Sequence, residues 1–162
     1  NIPFLIRSFS LFSQTNPKFQ LVIAGKKGWL FDDIFATVKS ARIENIVIFT
    51  DFITEEEKWS LYRQAFASVI PSLYEGFGIP ALESMRADTP VICSRIPALA
   101  EVVGSNGVFF NPQKPPSLVA AFQKIISPKT RASQITHGRQ RSKIFSWENS
   151  AKKLVNLFQS YS

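Results

Sequence analysis

The sequence predicts one α/β domain in which a parallel sheet is covered by helices on both faces. Two observations carry this expectation. Short apolar runs at residues 19–24, 46–50, 68–71, 91–94 and 108–110 have the length and composition of buried strands. Between and beyond them, residues 4–13, 30–40, 55–66, 80–86, 98–103, 116–126, 129–145 and 148–160 read as helices. Strands that alternate with helices in this order build parallel sheets, because a parallel pair needs a crossover and the crossover helix covers the sheet. With 162 residues and 45% apolar content, the chain is long enough to bury a core.

Taken in order, the elements carry their own signals. The first strand runs into Gly25-Lys26-Lys27-Gly28, which lacks the spacing of a dinucleotide or P-loop motif, so the two lysines read as solvent-facing. The second ends at Asp51-Phe52-Ile53. The third helix opens on a capping box, Thr54 with Glu57. Ala67-Ser68-Val69-Ile70 is the third strand, and Pro80 sits in the first turn of the following helix, where its missing N–H costs nothing. Cys93 falls in the run Pro90-Val91-Ile92-Cys93 and reads as a buried strand thiol. Ser146 is an N-cap candidate, and Trp147 after it reads as the anchor of the last helix in the core. No repeat, low-complexity tract or interior linker interrupts the pattern.

Ligands of such sheets bind beyond the carboxyl ends of the strands. The most informative of these loops is Pro71-Ser72-Leu73-Tyr74-Glu75-Gly76-Phe77-Gly78-Ile79-Pro80-Ala81-Leu82-Glu83. A strand, a glycine-bracketed loop and a helix start leave unpaired backbone N–H groups facing a ligand, and a phosphate suits them. Glu75 lies in the loop and Glu83 about 5 Å along the helix. An ionised glutamate only accepts hydrogen bonds, and sugar hydroxyls supply donors in vicinal pairs. A diphosphate with a sugar at each end satisfies both requirements. The alternative is that Glu83 complements the helix dipole and Glu75 is a solvated loop charge. The residues alone leave both readings open.

The wider pattern discriminates between them. Glu75 and Glu83 stand with seven residues between, followed by Glu83-Ser84-Met85, Pro90-Val91-Ile92, Pro97-Ala98-Leu99-Ala100-Glu101-Val102-Val103 and Gly107-Val108-Phe109-Phe110-Asn111-Pro112. This ordered set resembles the C-terminal domain of retaining glycosyltransferases of family 4, a group that includes sucrose synthases and many mannosyl- and glucosyltransferases. The resemblance extends weakly from Asn1-Ile2-Pro3 to Phe145-Ser146-Trp147. It implies the C-terminal half of a GT-B fold and transfer of a hexose from a nucleotide-diphosphate donor, GDP- or UDP-linked, with retention at the anomeric carbon. It implies that Glu75 binds sugar hydroxyls beside the developing cation as the catalytic carboxylate. It further implies that backbone N–H groups of Gly76, Phe77, Gly78 and Ile79 hold sugar and phosphates, that Glu83 binds the ribose diol, and that Phe52 or Ile53, with Gly25, receives the base. No cofactor or metal is implied, and no Asp-x-Asp motif occurs. The resemblance also implies that residues 1–162 lack a first strand, an Arg/Lys pair that neutralises the leaving group, and an N-terminal acceptor domain. The absent strand would lie mid-sheet, parting two strands from three and leaving edges that another segment must cover. Leu154, Val155, Leu157 and Phe158 would dock the last helix on that other domain, which would bring the carbohydrate or lipid-linked acceptor. Two other classes are compatible: a nucleotide-sugar epimerase of the same architecture, and a non-catalytic domain that binds a partner or a membrane.

Charge and cysteine usage bound the setting. The net charge is +7. Lys124, Lys129, Arg131, Arg139, Arg141, Lys143, Lys152 and Lys153 stand against a single acid, Glu148, over the same stretch. This is a solvated helical face, or a face for peripheral contact with an anionic membrane. Nucleic-acid binding is set aside, since interleaved aromatics and nucleic-acid motifs are lacking. One cysteine permits no intramolecular disulfide, so a reducing cytoplasm is the expected compartment. His137 has no second ligand at metal-binding spacing, so no metal is expected.

Overall fold

In the computed structural model, residues 1–26 and 31–161 are described. Their elements run α1 (Ile2–Ser13), β1 (Leu21–Ala24), α2 (Phe31–Ala41), β2 (Val47–Asp51), α3 (Glu55–Gln64), β3 (Ser68–Ile70), α4 (Ile79–Arg86), β4 (Val91–Ser94), α5 (Pro97–Val103), β5 (Val108–Phe110), α6 (Pro115–Ile126), α7 (Pro128–Ser142) and α8 (Trp147–Gln159), with a 3₁₀ turn over Glu44–Ile46 before β2. Each expected strand and helix is present, so the α/β reading holds. Lys27 and Gly28, and the expected start of the second helix at residue 30, lie outside the described residues.

Boundaries moved where local chemistry dictates. The first helix starts ahead of expectation because Pro3 sits in its first turn, where no N–H is needed. The third helix ends at Gln64, since Ala65 is extended and delivers the chain to β3. The seventh ends at Ser142, short of Phe145, whose carbonyl instead accepts from the Arg86 guanidinium at 2.8 Å.

All strand pairing is parallel. One ladder joins β1 to β2, with Leu21 opposite Val47, and a second runs β3-β4-β5, with Ser68 opposite Val91 and Ile92 opposite Val108. Among the described residues no ladder joins the two groups, so the strands divide two and three. Both faces of β4 are buried, as a doubly covered sheet requires. Ile92 faces a core built by α1, α6 and Phe110, whereas Val91 and Cys93 face one built by α4 and α5. Aromatic contacts lock the first core: Phe4 stacks on Phe110 at 5.9 Å and Phe12 meets Phe122 at 5.0 Å.

One expectation is corrected. Trp147 does not anchor the last helix in the core; it is 86% exposed, and no residue of α8 is buried. Ser146 does cap the helix, accepting from the Asn149 N–H at 3.1 Å. The cap thus sets where α8 begins, while the described residues leave the indole uncovered. Part of the basic C-terminal stretch is internal stitching. Arg131 donates to the Phe66 carbonyl, Arg141 to those of Val102 and Glu101, and Arg139 pairs with Asp88. No helix among the described residues is long and apolar enough to cross a membrane.

Candidate functional site

The site is built on the connection from β3 to α4. Strand β3 is pinned beside β4, and the chain then leaves the carboxyl end of the sheet through residues 71–78. Gly78 makes the turn into α4: its φ of +102° lies in the region that side chains avoid. A Cβ there would stand 2.7 Å from Leu99 Cδ2, so the loop also lies directly on α5. Pro80 occupies the first turn, which the Ala81 N–H closes onto the Gly78 carbonyl at 3.0 Å. No side chain caps this helix. The first-turn N–H groups other than that of Ala81 are therefore left to a ligand or to water.

Helix α4 is held rigidly from below. Ala81, Leu82, Ser84 and Met85 are buried. Ser84 Oγ donates to the Thr89 carbonyl at 3.0 Å and stands 2.6 Å from Ser68 Oγ, so Ser68 is the donor in that second bond. This ties α4 to the first residue of β3 and fixes the direction in which Glu83 leaves the helix.

The two carboxylates have different partners. Glu75 is half-buried and accepts from Ser72 Oγ at 2.7 Å on Oε1. That donor is neutral, and Oε2 accepts no hydrogen bond from the described residues. Leu73, Tyr74, Phe77 and Ile79 around it are exposed. Glu83 is gripped by α3 instead. Lys58 Nζ lies 2.8 Å from its Oε1, and the Tyr62 hydroxyl donates to its Oε2 at 3.3 Å. Glu55 and Glu83 together hold the Lys58 ammonium above the usual lysine range. Burial, and then the negative charge of Glu83, pushes the Tyr62 phenol up to about 12, so it stays a donor at physiological pH.

The β1 and β2 ends form the neighbouring part. The Gly25 N–H donates to the Asp51 carbonyl at 3.1 Å, which sets the two strand-end loops side by side. Gly25 has φ of +141° and open space where a Cβ would be. Phe52 is 63% exposed, with the Lys26 ammonium 5.0 Å from its ring centre, and Ile53 is half-buried. This loop feeds directly into the Thr54 cap of α3, whose box is closed by bonds of 2.7 Å and 3.2 Å. Lys58 follows one turn later. Phe52 and Ile53 are thereby tied to Glu83 through a single turn of α3, about 6 Å.

The structure thus connects Phe52, Ile53 and Glu83, and sets Glu75, Gly76, Phe77, Gly78 and Ile79 on the loop that enters α4. Sequence reasoning missed Lys58, Tyr62 and Ser72. The first two stand four residues apart on α3, on one helix face, which was the available signal. A hollow of about 410 Å³ beyond β4 and β5 is lined by Arg95, Phe109, Asn111 and Ser117 rather than by either glutamate.

The profile of the family described as Glycosyl transferases group 1 matches residues 1–141. The chain belongs to this family. Among relatives of the group 1 glycosyl transferases, the O-antigen chain mannosyltransferase B of Escherichia coli is 31% identical over 161 residues, covering 98% of this chain and 42% of the relative. The sucrose-phosphate synthase of Thermosynechococcus elongatus superposes with a TM-score of 0.85 at 28% identity, covering 99% of this chain and 42% of the synthase. The C-terminal domain of a group 1 family glycosyl transferase from Francisella tularensis shares the fold, with a TM-score of 0.77 at 24% identity over 88% of this chain and 77% of that domain. This is the Rossmann-like C-terminal half of the GT-B architecture. The chain spans less than half the length of the curated relatives it matches.

Proposed function

We propose that this domain is the donor-binding half of a glycosyltransferase that moves a hexose from a nucleotide-diphosphate sugar to an acceptor with retention of anomeric configuration. The observation that carries the reading is the unequal treatment of the two glutamates on one loop-helix unit. Glu83, neutralised by Lys58 and fixed by Tyr62, keeps lone pairs for the two hydroxyls of a ribose. Glu75 is met among the described residues by the neutral Ser72 and by no counter-ion.

The chemistry follows from that arrangement. Breaking the bond between sugar and diphosphate leaves positive charge on the sugar and additional negative charge on the phosphates. Glu75 binds the sugar hydroxyls and sets its charge beside the developing cation. The backbone N–H groups from Gly76 to Ile79 and the N-terminus of α4 face the sugar and the diphosphate, with the favourable end of the helix dipole toward the anion. Phe52 or Ile53 offers an apolar face to the base, which Gly25 lets approach the backbone. The reading assigns the domain no metal or cofactor. The acceptor, a carbohydrate or a lipid-linked one, belongs to a further domain on which the exposed Leu154, Val155 and Leu157 of α8 would dock. The unengaged part of the basic C-terminal stretch suits peripheral contact with an anionic membrane in the cytoplasm.

The test uses the enzyme at its full natural length. A ligand that binds only the folded state raises the melting temperature, so UDP, GDP and ADP are screened by thermal shift. One of them should give a selective shift that Glu83→Gln reduces. Release of the diphosphate from GDP-mannose or UDP-glucose should fall about 100-fold or more in Glu75→Ala, with the melting temperature retained. Near-normal turnover in that variant would sink the role of Glu75.

A further inference from the structure

The proposed reaction takes Glu83 as neutralised, and the ion pair under it has a geometry that bears on the diphosphate. Lys58 lies between two carboxylates, 2.8 Å from Glu83 and 2.8 Å from Glu55. They are not equivalent: the Glu55 side chain is 79% exposed, whereas Glu83 is 20% and Lys58 26% exposed. Water screens the outer pair far more than the inner one. The ammonium therefore serves Glu83 first. A carboxylate has room for about four hydrogen bonds. Lys58 and Tyr62 take one on each oxygen, which leaves one on each for a vicinal diol.

Glu83 stands about 6 Å from the start of α4 at 1.5 Å per residue. An anion held at that helix start would meet the carboxylate's charge. An ammonium fixed against Glu83 removes most of that repulsion and leaves the oxygens free to accept. We propose that Lys58 is the counter-ion of Glu83 in the donor site, cancelling the carboxylate's charge so that one short helix can hold a ribose diol and a diphosphate together. The inference rests on the donor reading given above. Lys58 acts through Glu83 and is a positioning residue, and the charge it supplies bears on the diphosphate more than on the nucleoside.

The experiment compares ligands that differ only in charge. UDP, GDP and ADP and their parent nucleosides are titrated into the full-length enzyme, Lys58→Met, Glu83→Gln and the double variant, at low and high salt, with melting curves to confirm folding. In Lys58→Met the preferred diphosphate should bind about tenfold or more weakly, while its nucleoside loses less than about threefold. The excess loss should shrink at high salt and vanish in the Glu83→Gln background, as coupled residues in a double-mutant cycle do. Equal losses for both ligands, a loss that persists beside Glu83→Gln, or diphosphate binding unchanged or tighter in Lys58→Met would overturn the proposal. Should Lys58→Met fail to fold, Lys58→Gln gives the same comparison. A parent enzyme that binds none of the three diphosphates overturns the donor reading itself, an outcome distinct from a loss confined to the Lys58 variants.

Discussion

Gly78→Ala should be far more damaging than Gly76→Ala, although both glycines belong to one loop and look equivalent in the sequence. Gly78 sits at φ +102°, ψ +43°, a conformation that costs a residue with a Cβ about 1–3 kcal/mol. Its added methyl would also stand 2.7 Å from Leu99 Cδ2. The end of a leucine side chain normally yields cheaply, but Leu99 has no exposed surface and nowhere to move. Overpacking of this kind costs about 1–3 kcal/mol more. The combined loss of about 2–6 kcal/mol is a large part of the 5–15 kcal/mol that stabilises a typical domain. It corresponds to a fall of about 5–20 °C in Tm for a protein of this size class. Gly76, without a positive φ and with nothing within 4 Å of a built Cβ, should tolerate alanine within about 0.5 kcal/mol. Urea unfolding of parent and both variants measures the difference directly. Equal stability of the two variants would refute the argument that Gly78 is fixed by its backbone angle and by α5.

Three further outcomes follow from groups away from the loop. Burial pushes the Cys93 thiol up to about 12, so at pH 8 about one molecule in ten thousand carries the reactive thiolate; a thiol reagent should label it only after denaturant is added, and labelling of the native protein would contradict its burial. Asp88 adopts φ +60° at the end of α4, so Asp88→Gly should be about 1 kcal/mol more stable than Asp88→Ala in urea, since neither keeps the carboxylate and only glycine takes that angle freely. The Arg139 guanidinium, bonded to Asp88 at 2.5 and 2.8 Å, holds its carboxyl below the usual range. Any advantage of the parent over Asp88→Asn should therefore be present above about pH 4 and fade as the pH falls further; an advantage that grows in acid would contradict the pairing.

The order of elements was legible because each strand is a short apolar run and several helices carry a start signal of their own. The Thr54–Glu57 box and the Ser146 cap are local chemistry, and both formed where the sequence placed them. Glu75 and Glu83 were legible as a pair because seven residues of loop and helix separate them. Their partners were only half legible. Ser72 is three residues from Glu75, but Lys58 and Tyr62 come from a helix 25 and 21 residues earlier in the chain, and only the packing of α3 on α4 brings them together. Trp147 misled for a related reason. An aromatic residue after an N-cap reads as an anchor when a core lies beside it, and here every residue of α8 is exposed.

Those long-range partners decide what two similar carboxylates can do. At an effective dielectric of about 20, an unpaired carboxylate about 7 Å from a phosphate repels each phosphate charge by about 2 kcal/mol. On the proposed reading, in which the N-terminus of α4 faces a diphosphate, such a charge would undo much of what that N-terminus contributes. In that reading Lys58 removes the conflict at Glu83 alone. At Glu75 the proposed reaction needs the opposite, because the same uncompensated charge would attract a sugar that becomes cationic as the bond to the diphosphate breaks. A neutral hydroxyl from Ser72 holds Glu75 in place without cancelling it. A lysine in place of Ser72 would cancel it, and on the proposed reading would cost turnover while leaving nucleotide affinity little changed.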